Sequence, residues 1–256
     1  MTVFQYHKKA LQEMKGKPKA EQWSYFLEYY KWYAVAAVVA IIILVNIIVL
    51  IATNKSTILG GMLIDGYSPE DEYAEQSYLA SLSEYLEVNP KKEEIRIDTG
   101  ISLMYNPEIS KIDTFQKIQA GLLTKTTDFI TAQTYAFNIC VYNTSPMFAD
   151  LRDHLDMDTL TQLEGKLFYM DRSIIEQMRQ AQEQGQVLDA IEYPDPTAPD
   201  TMSDPIPVGI NIVDCSSEFL DIYYGVYEDT WLGITTSSQH PEKVMKFIDH
   251  LFNGHP

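Results

Sequence analysis

The chain has 256 residues, a formal net charge of −17 at neutral pH, and 46% hydrophobic residues. That apolar fraction is ample for a folded core and excludes a wholly disordered chain. The acidic excess argues against nucleic acid as a partner, because the long-range field of the chain would repel phosphate groups.

The first 33 residues form a basic and aromatic segment. They carry six lysines and three glutamates, a net charge of +3, which leaves −20 for the rest of the chain. Seven aromatic residues suited to the headgroup layer of a membrane crowd toward its end: Trp23, Tyr25, Phe26, Tyr29, Tyr30, Trp32 and Tyr33. We interpret residues 1–33 as a cytoplasmic juxtamembrane segment whose lysines meet anionic lipid.

An apolar stretch, 34–52, follows directly and contains one polar residue, Asn46. As a helix it spans roughly 28 Å at about 1.5 Å per residue, close to the hydrocarbon thickness of a bilayer. It is longer than the ~7 to 15 residue core of a signal peptide, so a retained anchor is preferred to a cleaved leader. The positive-inside rule then predicts a single-pass protein of the cell membrane with a cytoplasmic N-terminus and an extracellular domain over 53–256.

The exported part begins with strand and helix signals in alternation. Strands and helices are predicted in turn at 56–67, 73–88, 93–104, 110–125 and 126–133. This β-α-β-α-β order predicts an α/β fold, a mostly parallel sheet flanked by helices.

The pattern loosens between residues 137 and 206. That stretch contains one clear strand at 165–171, a polar helix at 172–186, and the connection "YPDPTAPDTMSDPIP" at 193–207, whose five prolines predict an exposed, irregular path. The core then resumes with a strand, a helix, a strand and a helix at 207–214, 217–226, 230–237 and 241–252.

Three stretches of this pattern resemble a known family. The succession of "IRIDTGI" and "FQKIQAGLLTKTTDFITA" resembles the first lobe of extracellular solute-binding proteins of the type II periplasmic binding protein fold, and "GITTSSQHPEKVMKFIDHL" is similar to that family's late strand, turn and helix. With its anchored start, the chain resembles membrane-anchored solute-binding-like proteins of Firmicutes. The resemblance implies a main lobe over 57–136 and 207–252, a reduced second lobe with the proline-rich connection over 137–206, and an association with an ABC transporter.

Candidate ligand contacts follow from strand polarity. Open α/β sheets bind ligands beyond the carboxyl ends of their parallel strands. That rule selects hydrogen-bonding and aromatic side chains near the first, third and last strands: Asp65, Tyr67, Gln133, Tyr135, Trp231, Thr235 and Ser237. Such side chains suit a sugar or a peptide group. Structural alternatives stay open, since Asp65 can instead cap the following helix and Trp231 can serve in packing.

The sequence shows no established catalytic motif in the exported part, so we expect no catalytic residue, no metal ion and no cofactor. Its two cysteines, Cys140 and Cys215, either form a disulfide or remain free buried thiols.

Two functions are consistent with this pattern. The first is a non-catalytic, membrane-tethered module that presents or senses a small solute of the sugar or peptide class, with a transporter or an envelope protein as partner. The second is a structural or interaction protein of the cell envelope that kept the lobe fold without a ligand cleft. A cleft lined by Asp65, Tyr67 and Gln133 would favour the first, and residues 140–206 folded flat against the main lobe would favour the second.

Overall fold

The chain divides into two compact units, Met1–Asn54 and Lys55–Pro256. The computed structural model describes residues 12, 16–29, 31–67, 69, 71–103, 109–143, 146–186, 192–215, 217–225 and 228–253. Of the predicted aromatic belt, Tyr30 lies outside these residues.

Two helices are described in the first unit, α1 (Lys19–Tyr29) and α2 (Lys31–Thr53). The stretch Lys31–Val49 of α2 is long and apolar enough to cross a membrane. The Asn46 side chain donates to the Ile42 carbonyl at 2.8 Å, so this polar group is satisfied within its own helix. The predicted long apolar helix is thus confirmed, and its orientation stays a prediction.

The second unit is built on one six-stranded sheet. The strands are β1 (Ser56–Ile64), β2 (Glu93–Ile101), β3 (Phe129–Gln133), β4 (Leu167–Asp171), β5 (Pro205–Asn211) and β6 (Thr230–Ile234). Their order across the sheet is β2-β1-β3-β6-β5-β4. Seven α-helices are described here: α3 (Glu72–Tyr85), α4 (Ile109–Leu123), α5 (Thr134–Val141), α6 (Met157–Gln162), α7 (Arg172–Glu183), α8 (Ser217–Tyr223) and α9 (Pro241–Asn253).

Two apolar layers cover the two faces of the sheet, which confirms the α/β class. Alternate residues of β1 point to opposite layers, Leu59 and Leu63 to one and Met62 and Ile64 to the other. Helices α3, α8 and α9 supply buried side chains to the first layer, and α4 and α5 to the second, with α7 packed against it. Because both faces are buried, β1 is a continuous apolar run without alternation.

The prediction of a mostly parallel sheet is wrong, because the sheet is mixed. Strand β1 is parallel to β2 and β3, whereas the β3–β6, β6–β5 and β5–β4 pairs are antiparallel. Two strands joined by a helix are parallel only when that helix is the one segment that returns the chain from the end of the first strand to the end of the sheet where it began. After α7 the chain returns a second time, so that Pro205 of β5 starts opposite Asp171, where β4 ended.

The segment 137–206, predicted to be a reduced second lobe, joins the same sheet. Its strand β4 lies at the edge beside β5. The proline-rich connection runs outside β4, where the Tyr169 N–H donates to the Pro196 carbonyl at 2.8 Å. This contact occupies part of an edge that would otherwise be open to pairing with another chain. Lys55–Pro256 is therefore one compact unit, not two lobes.

The two cysteines are free thiols, which decides between the two alternatives left by the sequence. Cys140 lies in the layer on one face of the sheet, and Cys215 packs against the layer on the other. A disulfide would have to pass through the sheet, so this fold does not allow one.

Candidate functional site

The residues predicted to meet at one end of the strands are divided between the two opposite ends of the sheet. Strands β1 and β3 run parallel, with Leu63 paired to Thr131. Asp65 and Gln133 therefore lie at nearly the same height, at the carboxyl ends of these two strands. Strand β6 is antiparallel to β3, so it ends at the opposite end of the sheet, where β3 begins. There the Thr235 N–H donates to the carbonyl of Asp128, just before β3, at 2.9 Å.

Asp65 holds a neighbouring loop in place. Its Oδ1 accepts hydrogen bonds from the Ser102 hydroxyl at 2.5 Å and from the Leu103 N–H at 2.9 Å. The N-cap of the following helix, α3, is Asp71, whereas Asp65 fixes the chain where it leaves β2. Tyr67 is different, because its ring is 64% exposed while its N–H donates to the Tyr223 carbonyl at 2.6 Å.

Around the end of β3, the predicted contacts are partly structural. Gln133 is half-buried at the N-cap of α5, and the Tyr135 ring is exposed. Trp231 is buried, with its indole N–H donating to the Thr134 hydroxyl at 2.9 Å and its ring edge-on to Phe168. The structural alternative for Trp231 is therefore the correct one.

At the end of the sheet where β3 begins, Thr235 and Ser237 belong to a hydrogen-bonded turn. The Thr235 hydroxyl is buried and donates to the Thr127 carbonyl at 2.6 Å. The Ser237 hydroxyl lies 3.4 Å from that of Thr235. These side chains tie the turn after β6 to the residues before β3, far from the end of β1.

An open cavity of about 610 Å³ lies beside Tyr67, between the start of α3 and the end of α8. Its lining is Tyr67, Pro69, Asp71, Ala74, Asp221, Ile222 and Gly225. The Asp71 carboxylate accepts from the N–H groups of Tyr73 at 2.9 Å and Ala74 at 3.2 Å, so it already caps α3. The described lining residues bring two carboxylates and one exposed ring together, and none of them is basic.

A smaller and deeper cavity of about 390 Å³ lies between α5, β4, α7 and β5, and we call it the α7 cavity. Its lining joins an apolar floor to a charged rim: Val141, Asn143, Pro146, Met147, Phe148, Asp150, Met170, Arg172, Ile175, Glu176, Arg179 and Ile206. An apolar cavity with a few convergent polar groups is the usual form of a small-molecule site, and we take this cavity as the candidate site.

Aromatic packing fixes the floor of the α7 cavity. The Phe148 ring stacks on that of Phe137 with centroids 4.6 Å apart. The ring has room because Gly233 faces it, and a Cβ there would lie 2.4 Å from a ring carbon. The floor therefore has a set shape before any ligand arrives.

Helix α7 carries the charged side of the cavity. Arg172, Ile175, Glu176 and Arg179 recur at spacings of three and four residues, which places them on one helical face. The carboxylate of Asp171 caps this helix by accepting the Ser173 N–H at 2.9 Å.

The same carboxylate also ties α7 to the chain that enters β5. It accepts the N–H groups of Ser203 at 2.8 Å and Asp204 at 3.1 Å. Asp171 therefore positions both the helical wall and the strand that carries Ile206.

Two arginines, Arg179 on the rim and Arg152 beside it, are paired with carboxylates at hydrogen-bond distance. Arg152 binds the Asp150 carboxylate through Nε at 2.9 Å and Nη2 at 2.6 Å. Burial raises the pKa of Asp150, but the Arg152 bonds outweigh it and hold this pKa below its ordinary value. Arg179 lies between Glu176 and Glu183, with closest distances of 2.7 Å to each.

Arg172 is held more loosely than the other two. Among the described residues its nearest carboxylate oxygens belong to Asp204 at 3.7 Å and Asp150 at 4.0 Å, both beyond hydrogen-bond distance. Its side chain is 55% exposed at the mouth of the cavity. The arrangement can therefore bury an apolar group on the floor while Arg172 donates to a polar one.

Sequence reasoning missed the whole α7 cavity. Helix 172–186 was predicted as a polar helix, although its one-sided spacing of Arg172, Ile175, Glu176 and Arg179 was a usable signal. The remaining lining comes from segments far apart in the chain, which no local pattern joins. Among the described residues, no group of three or more His, Cys, Asp or Glu side chains could hold a metal ion.

We expect the stabilising effect of Asp171 to disappear in acid. Burial raises its pKa, but the bonds from Ser173, Ser203 and Asp204 outweigh burial and lower the net value below 3.8. A carboxyl whose pKa falls on folding stabilises above its unfolded pKa and loses that contribution as pH falls through the folded value. Asp171→Asn should therefore cost about 1–2 kcal/mol of unfolding free energy at pH 7, and the difference from the unmodified chain should shrink below pH 4.

Denaturant unfolding of both chains between pH 3 and 7 measures this difference. Asp200→Asn, at an exposed position of the same connection, is the matched control and should show no such trend. A difference that stays constant across the pH range would contradict the assignment.

Comparisons with protein-family models, with curated proteins and with solved structures give no match for this chain. The resemblance to type II periplasmic binding proteins consequently rests on the order of residue classes in the sequence, and it stays a prediction.

Proposed function

We propose that this chain is a non-catalytic, membrane-tethered module that binds a small solute outside the cell, in order to present it to a transporter or to sense it. The observation that carries the proposal is the α7 cavity, in which an apolar floor of fixed shape meets a rim of arginine donors. Its chemistry is that of a binding site, namely burial plus directed hydrogen bonds.

Helix α2 supports the tether, and the charge distribution of the sequence supports the proposed orientation. Helix α2 includes a stretch able to cross a membrane. The charge of +3 before it and −20 after it would keep the N-terminus in the cytoplasm. The proposed site then faces the exterior.

The site proposed here differs from a cleft between two closing lobes. Strand β4 of segment 137–206 lies in the main sheet, and every described lining residue of the α7 cavity belongs to this segment. Binding would thus need side-chain adjustment at the rim and no closure of one lobe on another.

A second function, an interaction protein of the cell envelope, has a specific observation in its favour. The open cavity at Tyr67 has no lining residue from 137–206 among the residues described. Its two carboxylates and exposed ring would suit a basic segment of a protein partner. If the chain binds no solute, this is the function that the remaining observations support.

Filling the α7 cavity should abolish solute binding. Met170→Trp places a larger side chain from β4 into the cavity. The full chain in lipid nanodiscs is screened by thermal shift against amino acids, peptides, sugars and organic acids, and each solute that raises the melting temperature is then titrated by calorimetry. We expect at least one such solute, with affinity reduced at least tenfold in the variant, because the floor is no longer accessible.

The matched control is Met245→Trp. Met245 is also partly buried, but it packs against the layer on the other face of the sheet. Solute binding that survives Met170→Trp as well as it survives Met245→Trp would exclude the α7 cavity as the site.

A further inference from the structure

The arginines of this chain are concentrated at one place. The chain contains four, at 96, 152, 172 and 179. Arg172 and Arg179 line the α7 cavity, and Arg152 binds its lining residue Asp150. Only Arg96 lies elsewhere, on β2, at the opposite edge of the sheet from β4. Three of the four arginines therefore lie at or beside one cavity, each with carboxylate neighbours.

Arg172 is the member of this group with donors to offer. Arg152 and Arg179 already make hydrogen bonds to carboxylates at 2.6–2.9 Å and 2.7 Å. The ion pairs of Arg172, at 3.7 and 4.0 Å and exposed, are weak and easily exchanged. A guanidinium presents five N–H donors in a fork that matches a carboxylate in two parallel bonds.

The rim offers less to a cationic group. The Asp150 carboxylate is occupied by Arg152, and that of Glu176 accepts from Arg179 and from Gln180 at 3.2 Å. Binding an ammonium group there would break an existing arginine pair. The loosely held donors of Arg172 therefore favour a carboxylate over an amine at this rim.

The floor determines what the carboxylate is attached to. Among the described lining residues, Val141, Met147, Phe148, Ile175 and Ile206 present hydrocarbon and thioether surface, and none carries a hydroxyl for a sugar. A volume of about 390 Å³ is near the lower end of the ~300–1,000 Å³ usual for small-molecule sites. The cavity therefore suits a compact apolar body.

The net charge of the domain does not exclude an anion at this position. Interactions between exposed charges are largely screened beyond about 8 Å at physiological ionic strength. At the mouth of the cavity Arg152 and Arg179 are already paired with Asp150 and Glu176, so a bound anion would interact mainly by direct contact with Arg172. We expect slow, unsteered association and an affinity that depends on direct contact.

We infer that the α7 cavity binds a small organic carboxylate with an apolar body, its carboxylate on Arg172 and its hydrocarbon on the Phe148 and Ile206 floor. An aliphatic or aromatic monocarboxylic acid has this chemistry, and so does the apolar C-terminus of a short peptide. The inference rests on the proposed function and names the ligand class of that site.

The test compares acids with their neutral amides. Hexanoate, hexanamide, phenylacetate, phenylacetamide and hexylamine are titrated by calorimetry into the full chain in nanodiscs, with empty nanodiscs as the blank for partitioning into lipid. The acids should bind, and each amide should bind at least tenfold more weakly, because it can accept only part of the guanidinium fork. Arg172→Met should weaken acid binding about ten- to a hundredfold, and Arg172→Lys should restore part of it.

Arg96→Met is the matched control, since it removes the same charge from an exposed strand at the far edge. Equal binding of acids and amides, or acid binding unchanged in Arg172→Met, would overturn the carboxylate assignment. Uncharged solutes that bind and are blocked by Met170→Trp would leave the proposed function standing with another ligand class. No binding by any solute would overturn both.

Discussion

Replacing Trp231 with alanine is expected to lower the unfolding free energy of the Lys55–Pro256 unit by about 3–5 kcal/mol. The side chain is 1% exposed and packs edge-on against Phe168 with ring centroids 5.0 Å apart. Removing it leaves a cavity in the second layer of the core and deprives the Thr134 hydroxyl of the indole donor at 2.9 Å. Trp231→Phe should cost less, because it keeps an aromatic ring and loses the hydrogen bond.

The matched control for this substitution is Tyr135→Ala. Both residues are candidate ligand contacts by sequence, but the Tyr135 ring is 55% exposed. Its removal should change the unfolding free energy by less than about 0.5 kcal/mol. Urea unfolding followed by circular dichroism measures both. A Trp231→Ala chain as stable as the Tyr135→Ala chain would show that Trp231 is not a packing residue.

Asp128→Ala is expected to cost about 3 kcal/mol of unfolding free energy. Asp128 is 1% exposed, and its Oδ2 accepts the Gly60 N–H of β1 at 2.8 Å. Its Oδ1 accepts from the Ser238 hydroxyl at 2.8 Å and from the N–H groups of Gln239 at 3.0 Å and His240 at 3.2 Å. One carboxylate thus joins β1 to the turn that leads into α9.

Most of the expected loss of unfolding free energy comes from leaving the buried Gly60 N–H without its acceptor. Water can reach the partly exposed turn at 238–240, but the Gly60 N–H is buried and would have no acceptor. No larger side chain can move in at Gly60, since a Cβ there would lie 1.9 Å from the Thr126 carbonyl oxygen.

Two comparison variants make the Asp128 result specific. Asp128→Asn keeps the shape but directs an amide N–H toward one of the donors, so we expect it to recover only part of the loss. Asp158→Ala removes an exposed carboxylate from α6 and should be nearly neutral. Thermal unfolding and pulse proteolysis of the three chains measure these changes. Equal stability of Asp128→Ala and Asp158→Ala would contradict the assigned role.

Local patterns predicted most of the described elements of the fold. The apolar run 34–52 and the strands near 58, 95, 127, 167, 208 and 231 lie in elements of the predicted type, because each shows its own periodicity or length. Helix α5 was missed, since "TYAFNICV" is aromatic and β-branched and has no helical stripe. Its helical state is decided by burial of Phe137 and Cys140 against the sheet.

Strand direction decided the rest, and it is not a local property. If β6 ran parallel to β3, Thr235 would lie beside Gln133; because it runs antiparallel, Thr235 lies at the opposite end of the strands. The residues of β6 are compatible with either direction. Likewise, Arg172 and Phe148 become neighbours only because β4 joins the edge of the main sheet. The sequence by itself determined the apolar helix, the division of charge and the α/β class, since these depend on residues close together in the chain. Only the tertiary structure decided the strand directions, the free cysteines and the α7 cavity, since these depend on contacts between residues distant in sequence.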